Sequence, residues 1–310
     1  MNVIFVGLFI ALQFGCNSVN EDVKVTPVDP SLFIQSNLLE EITTEDCELS
    51  NGLKTRCYKI TMKAKPQEHK TGPFCPETIK DDKEKGGVWF KDGKLYDVDG
   101  EFVANLDEFY NDPEWKLYRE DGTVIRSDTK AQCVEVAQPV VNPKYKNYCV
   151  ECLASYFEEK KATYRIPVTP VYMNRTSSFE RGQALGFAFN GVQFDPPAPL
   201  ELIKEAYTIG PLDDCGGHVN PFEGYHYHAA TGCSKEVPQK DGHSPMLGYA
   251  LDGFGIYARL DKDGKEPENL DECGGHIDEN IGYHYHIGKP GDNEIIGCFR
   301  GQTGSSEVSE

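Results

Sequence analysis

Apolar and polar positions alternate through most of this chain in short stretches, and turn-forming pairs end them. Gly87-Val88-Trp89-Phe90 runs into Asp92-Gly93, and Asp99-Gly100 and Asp121-Gly122 follow. Period-two alternation bounded by such pairs predicts strands joined by tight hairpins. Helical periodicity is scarce. Asn105 to Tyr118 predicts one short helix limited by Pro113, and Pro196 to Glu205 predicts a loop entering another. The expected fold is therefore mainly β with few short helices. Asp97-Val98-Asp99-Gly100-Glu101 lacks the full ligand ladder of a calcium loop and reads as turn chemistry.

The ends of the chain read differently. Val3 to Phe14 is apolar but too short to span a bilayer, which predicts a signal peptide over 1–16. Gly15-Cys16 followed by Asn17 and Ser18 makes Cys16 a lipidation candidate, the alternative being an ordinary cleaved signal. Polar residues with scattered Pro and acids predict a flexible tether over 17–40, and 301–310 reads as a disordered tail. Between them lie an expected N-terminal β region, 41–165, and a C-terminal module, 166–300.

That module is duplicated, with repeats at 185–233 and 247–298. Leu185-Gly-Phe-Ala-Phe-Asn190-Gly191 is echoed by Leu247-Gly-Tyr-Ala-Leu-Asp252-Gly253. Asp213 to His228 matches Asp271 to His286 at ten of sixteen positions, which chance does not produce. Each unit is expected to open with a hairpin and to pack against the other about a pseudo-two-fold axis, because neither buries its apolar face alone.

Charge and cysteine content narrow the setting. With 31 Lys and Arg against 50 Asp and Glu the net charge is −19, which excludes nucleic acid as a partner. No apolar run is long enough for a mature transmembrane helix, so membrane contact is expected only through a lipid anchor. Setting Cys16 aside leaves ten cysteines, an even number that suits disulfides in an exported protein. Cys149 and Cys152 have redox spacing without a thioredoxin-like surround, so both are read as structural. Asn174-Arg175-Thr176 is a glycosylation sequon if the host is eukaryotic.

Seven of the eight histidines fall between His218 and His286. On a strand, His226 and His228 face one way, as do His284 and His286, with Tyr225, Tyr227, Tyr283 and Tyr285 on the other face. His218 and His276 each follow a Cys-Gly-Gly turn and supply a third imidazole per unit. Three neutral imidazoles with an open position suit zinc or copper. Three arrangements stand open: one ion per repeat, one ion shared by both strands at the pseudo-two-fold, or a knuckle that recruits Cys215 and Cys233. His243 is a weaker ligand candidate, and Asp252 a weaker candidate general base whose counterpart is Asn190. The leading expectation is an extracytoplasmic metal-binding protein. A metal-dependent hydrolase or copper oxidase at the same site is one alternative, and a metal-free structural or adhesion module with a Tyr/His hydrogen-bond lattice is another.

At Tyr225 to His228 and Tyr283 to His286, and along Leu185 to Phe194 and His243 to Tyr257, the sequence resembles the YHYH domain family, with Gly255 where relatives often carry Pro. The resemblance covers Tyr164 to Cys298, and Gly72-Pro73-Phe74-Cys75-Pro76 extends it. It implies an exported protein and brings no catalytic assignment.

Overall fold

The computed structural model describes residues 23–310 except 139, 181 and 241; the expected signal peptide and Cys16 lie outside them. In chain order the strands are β1 (Thr43–Glu48), β2 (Lys54–Lys63), β3 (Val88–Lys91), β4 (Lys94–Asp97), β5 (Lys161–Pro167) and β6 (Tyr172–Ser177). The repeats follow as β7 (Gly186–Ala188), β8 (Gln193–Phe194), β9 (Gly217–Asn220) and β10 (Gly224–Tyr227), then β11 (Met246–Ala250), β12 (Gly255–Tyr257), β13 (Gly275–Asp278) and β14 (Gly282–His286). β15 (Phe299–Gly301) and β16 (Ser305–Ser309) close the chain. The helices are short: α1 (Gly100–Ala104), α2 (Leu106–Tyr110), α3 (Lys130–Val136) and α4 (Leu200–Glu205).

The architecture is mainly β, and the duplication is written into its strand order. One eight-stranded sheet runs β13-β14-β12-β11-β7-β8-β10-β9. Read from its centre outward, each repeat contributes its first, second, fourth and third strand, so the order is a palindrome about the β7–β11 pair. Gly186 pairs with Ala250, Ala188 with Gly248, and Phe187 with Tyr249 at the centre. Both glycines are required by close approach: a Cβ on Gly186 would lie 2.2 Å from the Tyr249 carbonyl oxygen, and one on Gly248 would lie 2.1 Å from that of Phe187. The second strand of each repeat runs parallel to its Tyr-His-Tyr-His strand, β8 to β10 and β12 to β14. Each histidine strand pairs antiparallel with an edge strand, β10 with β9 and β14 with β13.

A second sheet, β1-β2-β5-β16, packs its inner face on the first. Ile60, Met62, Tyr164 and Ile166 join Phe187, Phe189 and Phe194 in one core, and the Tyr164 and Phe187 rings stack at 3.8 Å. Three sequence expectations change here. Residues 23–40 are no tether, because Val28 and Phe33 are buried in that core and the Asn37 amide donates to the Asn190 carbonyl. Residues 305–309 are no frayed tail, because β16 pairs with β5 from Lys161 to Arg165. The boundary at 165 does not separate two cores, since β5 crosses it and packs on both sides. In 105–118, α2 stops at Asn111, which adopts a left-handed conformation, so the expected helix is shorter and α1 precedes it. Asp99 caps α1 by accepting from the Phe102 amide, which makes it a helix start rather than a turn.

All ten cysteines from Cys47 onward pair: Cys47–Cys57, Cys75–Cys149, Cys133–Cys152, Cys215–Cys233 and Cys273–Cys298. Cys149 and Cys152 thus join different partners. The last two bridges occupy equivalent places in the repeats and staple the turns that carry His218 and His276. With Cys215 and Cys233 joined in a disulfide, the zinc knuckle that would recruit them is removed from the alternatives.

Candidate metal centre

Each turn before a histidine edge strand is built on one aspartate. Asp213 accepts from the Cys215 and Gly217 amides, at 3.0 and 3.2 Å, and from the Tyr225 hydroxyl at 2.9 Å. Asp271 accepts from Cys273, Gly275 and the Tyr283 hydroxyl in the same way, and also from Arg300 Nε at 2.8 Å. Gly216 and Gly274 complete these turns at φ +81° and +77°, in the left-handed region where a side chain would be strained. The other motif tyrosines anchor the hairpin turns. Tyr285 donates to Asp252 at 2.5 Å, and Tyr227 accepts from Asn190 at 3.1 Å. The tyrosine hydroxyls therefore bond to Asp and Asn on one face of the sheet.

Asp252 belongs to that face. It is fully buried, accepts from the Phe254 and Gly301 amides, and is pushed up to about 6 by burial despite the Tyr285 hydrogen bond. It holds a turn, and the imidazoles point away from it.

On the opposite face, cross-strand register places His218 directly against His226, and His276 against His284. His228 and His286 complete each group two residues on. Every ring is oriented by its Nδ1. His218, His226 and His228 donate to the carbonyls of Gly210, Gly224 and Pro196, at 3.3, 3.1 and 2.8 Å. His276, His284 and His286 donate to Glu268, Gly282 and Ala258, at 3.0, 2.9 and 2.9 Å. These carbonyls occupy matching places in the two repeats. A carbonyl only accepts, so each neutral ring carries its proton on Nδ1 and turns the Nε2 lone pair inward.

The inward nitrogens converge. His284 Nε2 lies 3.0 Å from those of His276 and His243 and 3.1 Å from that of His286, and His286 Nε2 lies 3.3 Å from that of His276. Nitrogens held about 2.0–2.1 Å from a zinc ion sit roughly 3.3 Å apart at the corners of a tetrahedron. The spacing therefore fits a metal, and lone pairs this close repel one another without a cation between them. Burial first, and neighbouring imidazoles after it, hold His218 down to about 3 and His228 well below the usual histidine range. Burial likewise lowers His284 to about 3 and His286 to about 4. These four rings are neutral near pH 7, as metal ligation requires.

Four residues make the second centre and three the first. His243, from the segment before β11, joins His276, His284 and His286; His218, His226 and His228 form the other group. Asp195 and Glu223, which the sequence reading did not single out, close on His226 as a separate group. The Asp195 carboxylate lies 3.8 Å from His226 Nε2, and burial raises its pKa, with His226 opposing. Glu223 Oε2 is buried without a hydrogen-bond partner. The signal available in sequence was a difference between the repeats. Asp195 stands where the second unit has Tyr257, whose ring lies edge-on to His243 and His284.

The two centres sit at opposite ends of the sheet. β10 and β14 are five strand steps apart, about 24 Å at roughly 4.8 Å per step, so the shared-ion arrangement is ruled out. His69, outside the repeats, lies on the tyrosine face against Tyr225 and Tyr227, and burial lowers its pKa, with Asp213 and Glu68 opposing.

No curated protein and no solved structure matches the chain. Residues 163–269, about a third of it, match the family model described as YHYH protein. The matched span ends before β13 and β14, so the second Tyr-His-Tyr-His strand is recognised through the internal repeat and the shared geometry rather than through the family model. From Thr163 through the first histidine centre and on to Asn269, the chain is similar to the YHYH family.

Proposed function

We propose that this chain is an exported transition-metal-binding protein holding one zinc or copper ion at each end of its duplicated sheet. The observation that carries this reading is the orientation of the imidazoles: six rings donate through Nδ1 to main-chain carbonyls and leave Nε2 lone pairs converging in two groups. A metal-free Tyr/His lattice would pair those nitrogens with the tyrosine hydroxyls, which instead bond to Asp213, Asp252, Asp271 and Asn190 on the other face. Ten cysteines in five disulfides support residence in an oxidising compartment, where thiolate ligands are lost and histidine takes their place.

The test is elemental analysis of tag-free, oxidised protein beside two double variants, His226→Ala with His228→Ala and His284→Ala with His286→Ala. Two metal equivalents are expected in the parent and one in each folded variant. Protein that is metal-free and cannot be loaded would overturn the reading.

A further inference from the structure

The two centres share six equivalent histidines but differ in what surrounds them. At the second, His243 adds a fourth imidazole and Tyr257 packs edge-on against it. At the first, no fourth histidine arrives, and the three rings form part of the wall of a cleft of about 620 Å³. The rest of that wall is largely apolar, including Phe74, Val150, Leu202, Ile203, Val219 and Phe222. A cavity of that size accommodates a small organic molecule, and a few polar groups in an apolar wall fix its orientation.

Charge narrows the class of molecule. Asp195, Glu223 and Glu180 line the cleft, and among the described residues no Lys or Arg does. A divalent ion on His218, His226 and His228 has its charge balanced by Asp195 and Glu223 beside it, and these carboxylates disfavour an anion there. Glu223 Oε2, buried without a hydrogen-bond partner, points to an occupant that supplies an N–H or O–H donor there.

Building on the metal-binding reading, we propose that the first centre is a ligand site for a neutral, largely apolar small molecule that completes the coordination of the ion through a nitrogen or carbonyl oxygen. The second centre is coordinatively filled by four imidazoles and serves the fold.

The experiment uses the full exported chain carrying His284→Ala and His286→Ala, so that only the first centre is loaded, with cobalt(II) as a visible reporter. Its absorption bands are followed during titration with 4-phenylimidazole, imidazole and benzoate. The expected result is that 4-phenylimidazole binds about tenfold more tightly than imidazole, because its ring enters the cleft, while benzoate leaves the bands unchanged. Phe222 and Leu202 are exposed at 49% and 40%, so Phe222→Ser with Leu202→Ser should leave the fold intact and cut that preference about threefold or more. Cobalt bound with equal affinity for the two imidazoles would overturn the cleft and leave the metal reading standing. Tighter binding of benzoate would overturn the charge argument and with it the proposed class. Failure to take up cobalt would overturn both readings together. If the parent protein, with both centres loaded, shows the same 4-phenylimidazole response at two cobalt ions, the assignment of the second centre as filled falls.

Discussion

Replacing Asp213 with Ala tests whether a buried carboxylate organises the first histidine turn. The side chain accepts from the amides of Gly72, Cys215 and Gly217 and from the Tyr225 hydroxyl. Three of these four donors are buried, and each left without a partner costs about 1–2 kcal/mol. The loss is partly offset, because the carboxyl is held above its usual range by burial and removing it relieves that desolvation. The net expectation is a destabilisation of about 3 kcal/mol. Asp213→Asn keeps an acceptor for Cys215 and Gly217 and should cost only about 1 kcal/mol. The assay is urea unfolding of chelator-treated, oxidised protein, so that bound metal does not contribute. With a slope of about 3 kcal/mol per molar, the Ala variant should shift the midpoint down by roughly 1 M and the Asn variant by about a third of that. The same turn presents His218, so metal affinity at the first centre should fall about tenfold in the Ala variant while the second centre is unaffected. Equal midpoints for Ala and Asn, or an Ala cost under about 0.5 kcal/mol, would refute the role assigned to the carboxylate.

The symmetry axis should not tolerate a methyl group. Gly248→Ala is expected to cost more than about 2 kcal/mol by thermal melting, because the new Cβ would press on the Phe187 carbonyl; a neutral result would contradict the close approach. Acid should weaken the metal-free fold. Unfolded imidazoles titrate near 6.5 while burial holds His218 and His284 at about 3 and His286 at about 4, so the unfolded chain binds the extra protons. Stability is then intact above about pH 6.5 and falls as pH drops toward 4, by about 1.4 kcal/mol per pH unit for each such histidine, partly offset below about pH 6 by Asp195 and Asp252, whose raised carboxyls bind protons in the folded state first. Urea midpoints that stay flat from pH 7.5 to 5 would show that these rings titrate normally. Finally, Cys215→Ser with Cys233→Ser opens an 18-residue separation and should cost about 3 kcal/mol in chemical denaturation, with a measurable loss of metal at the first centre only.

The repeats, the turn pairs and the strand character of the histidine motif were legible because each is local: alternation at period two, glycines at tight turns, and self-similarity at a fixed offset. Even the three-histidine grouping followed from strand geometry plus one turn. What local pattern could not carry was which strands become neighbours. Placing β8 parallel to β10 is a long-range pairing, and it is what delivers Asp195 to His226. His243 reaches the second centre from outside the repeated motif, so no counterpart announced it. Residues 23–40 read as polar linker because their few apolar positions, Val28 and Phe33 among them, show no regular period; these two are buried by docking on a face supplied from far along the chain.

The palindromic order of the eight-stranded sheet makes the module a tethered dimer. Each half brings the same four strands to a self-complementary edge, the isologous contact by which two identical subunits would meet. An ancestor of half the length could have formed this sheet from two separate copies, and would then have been bound to keep both histidine centres alike. Joining the copies in one chain released that constraint: Asp195 and Tyr257 occupy the same structural address, a carboxylate at one and an aromatic ring at the other.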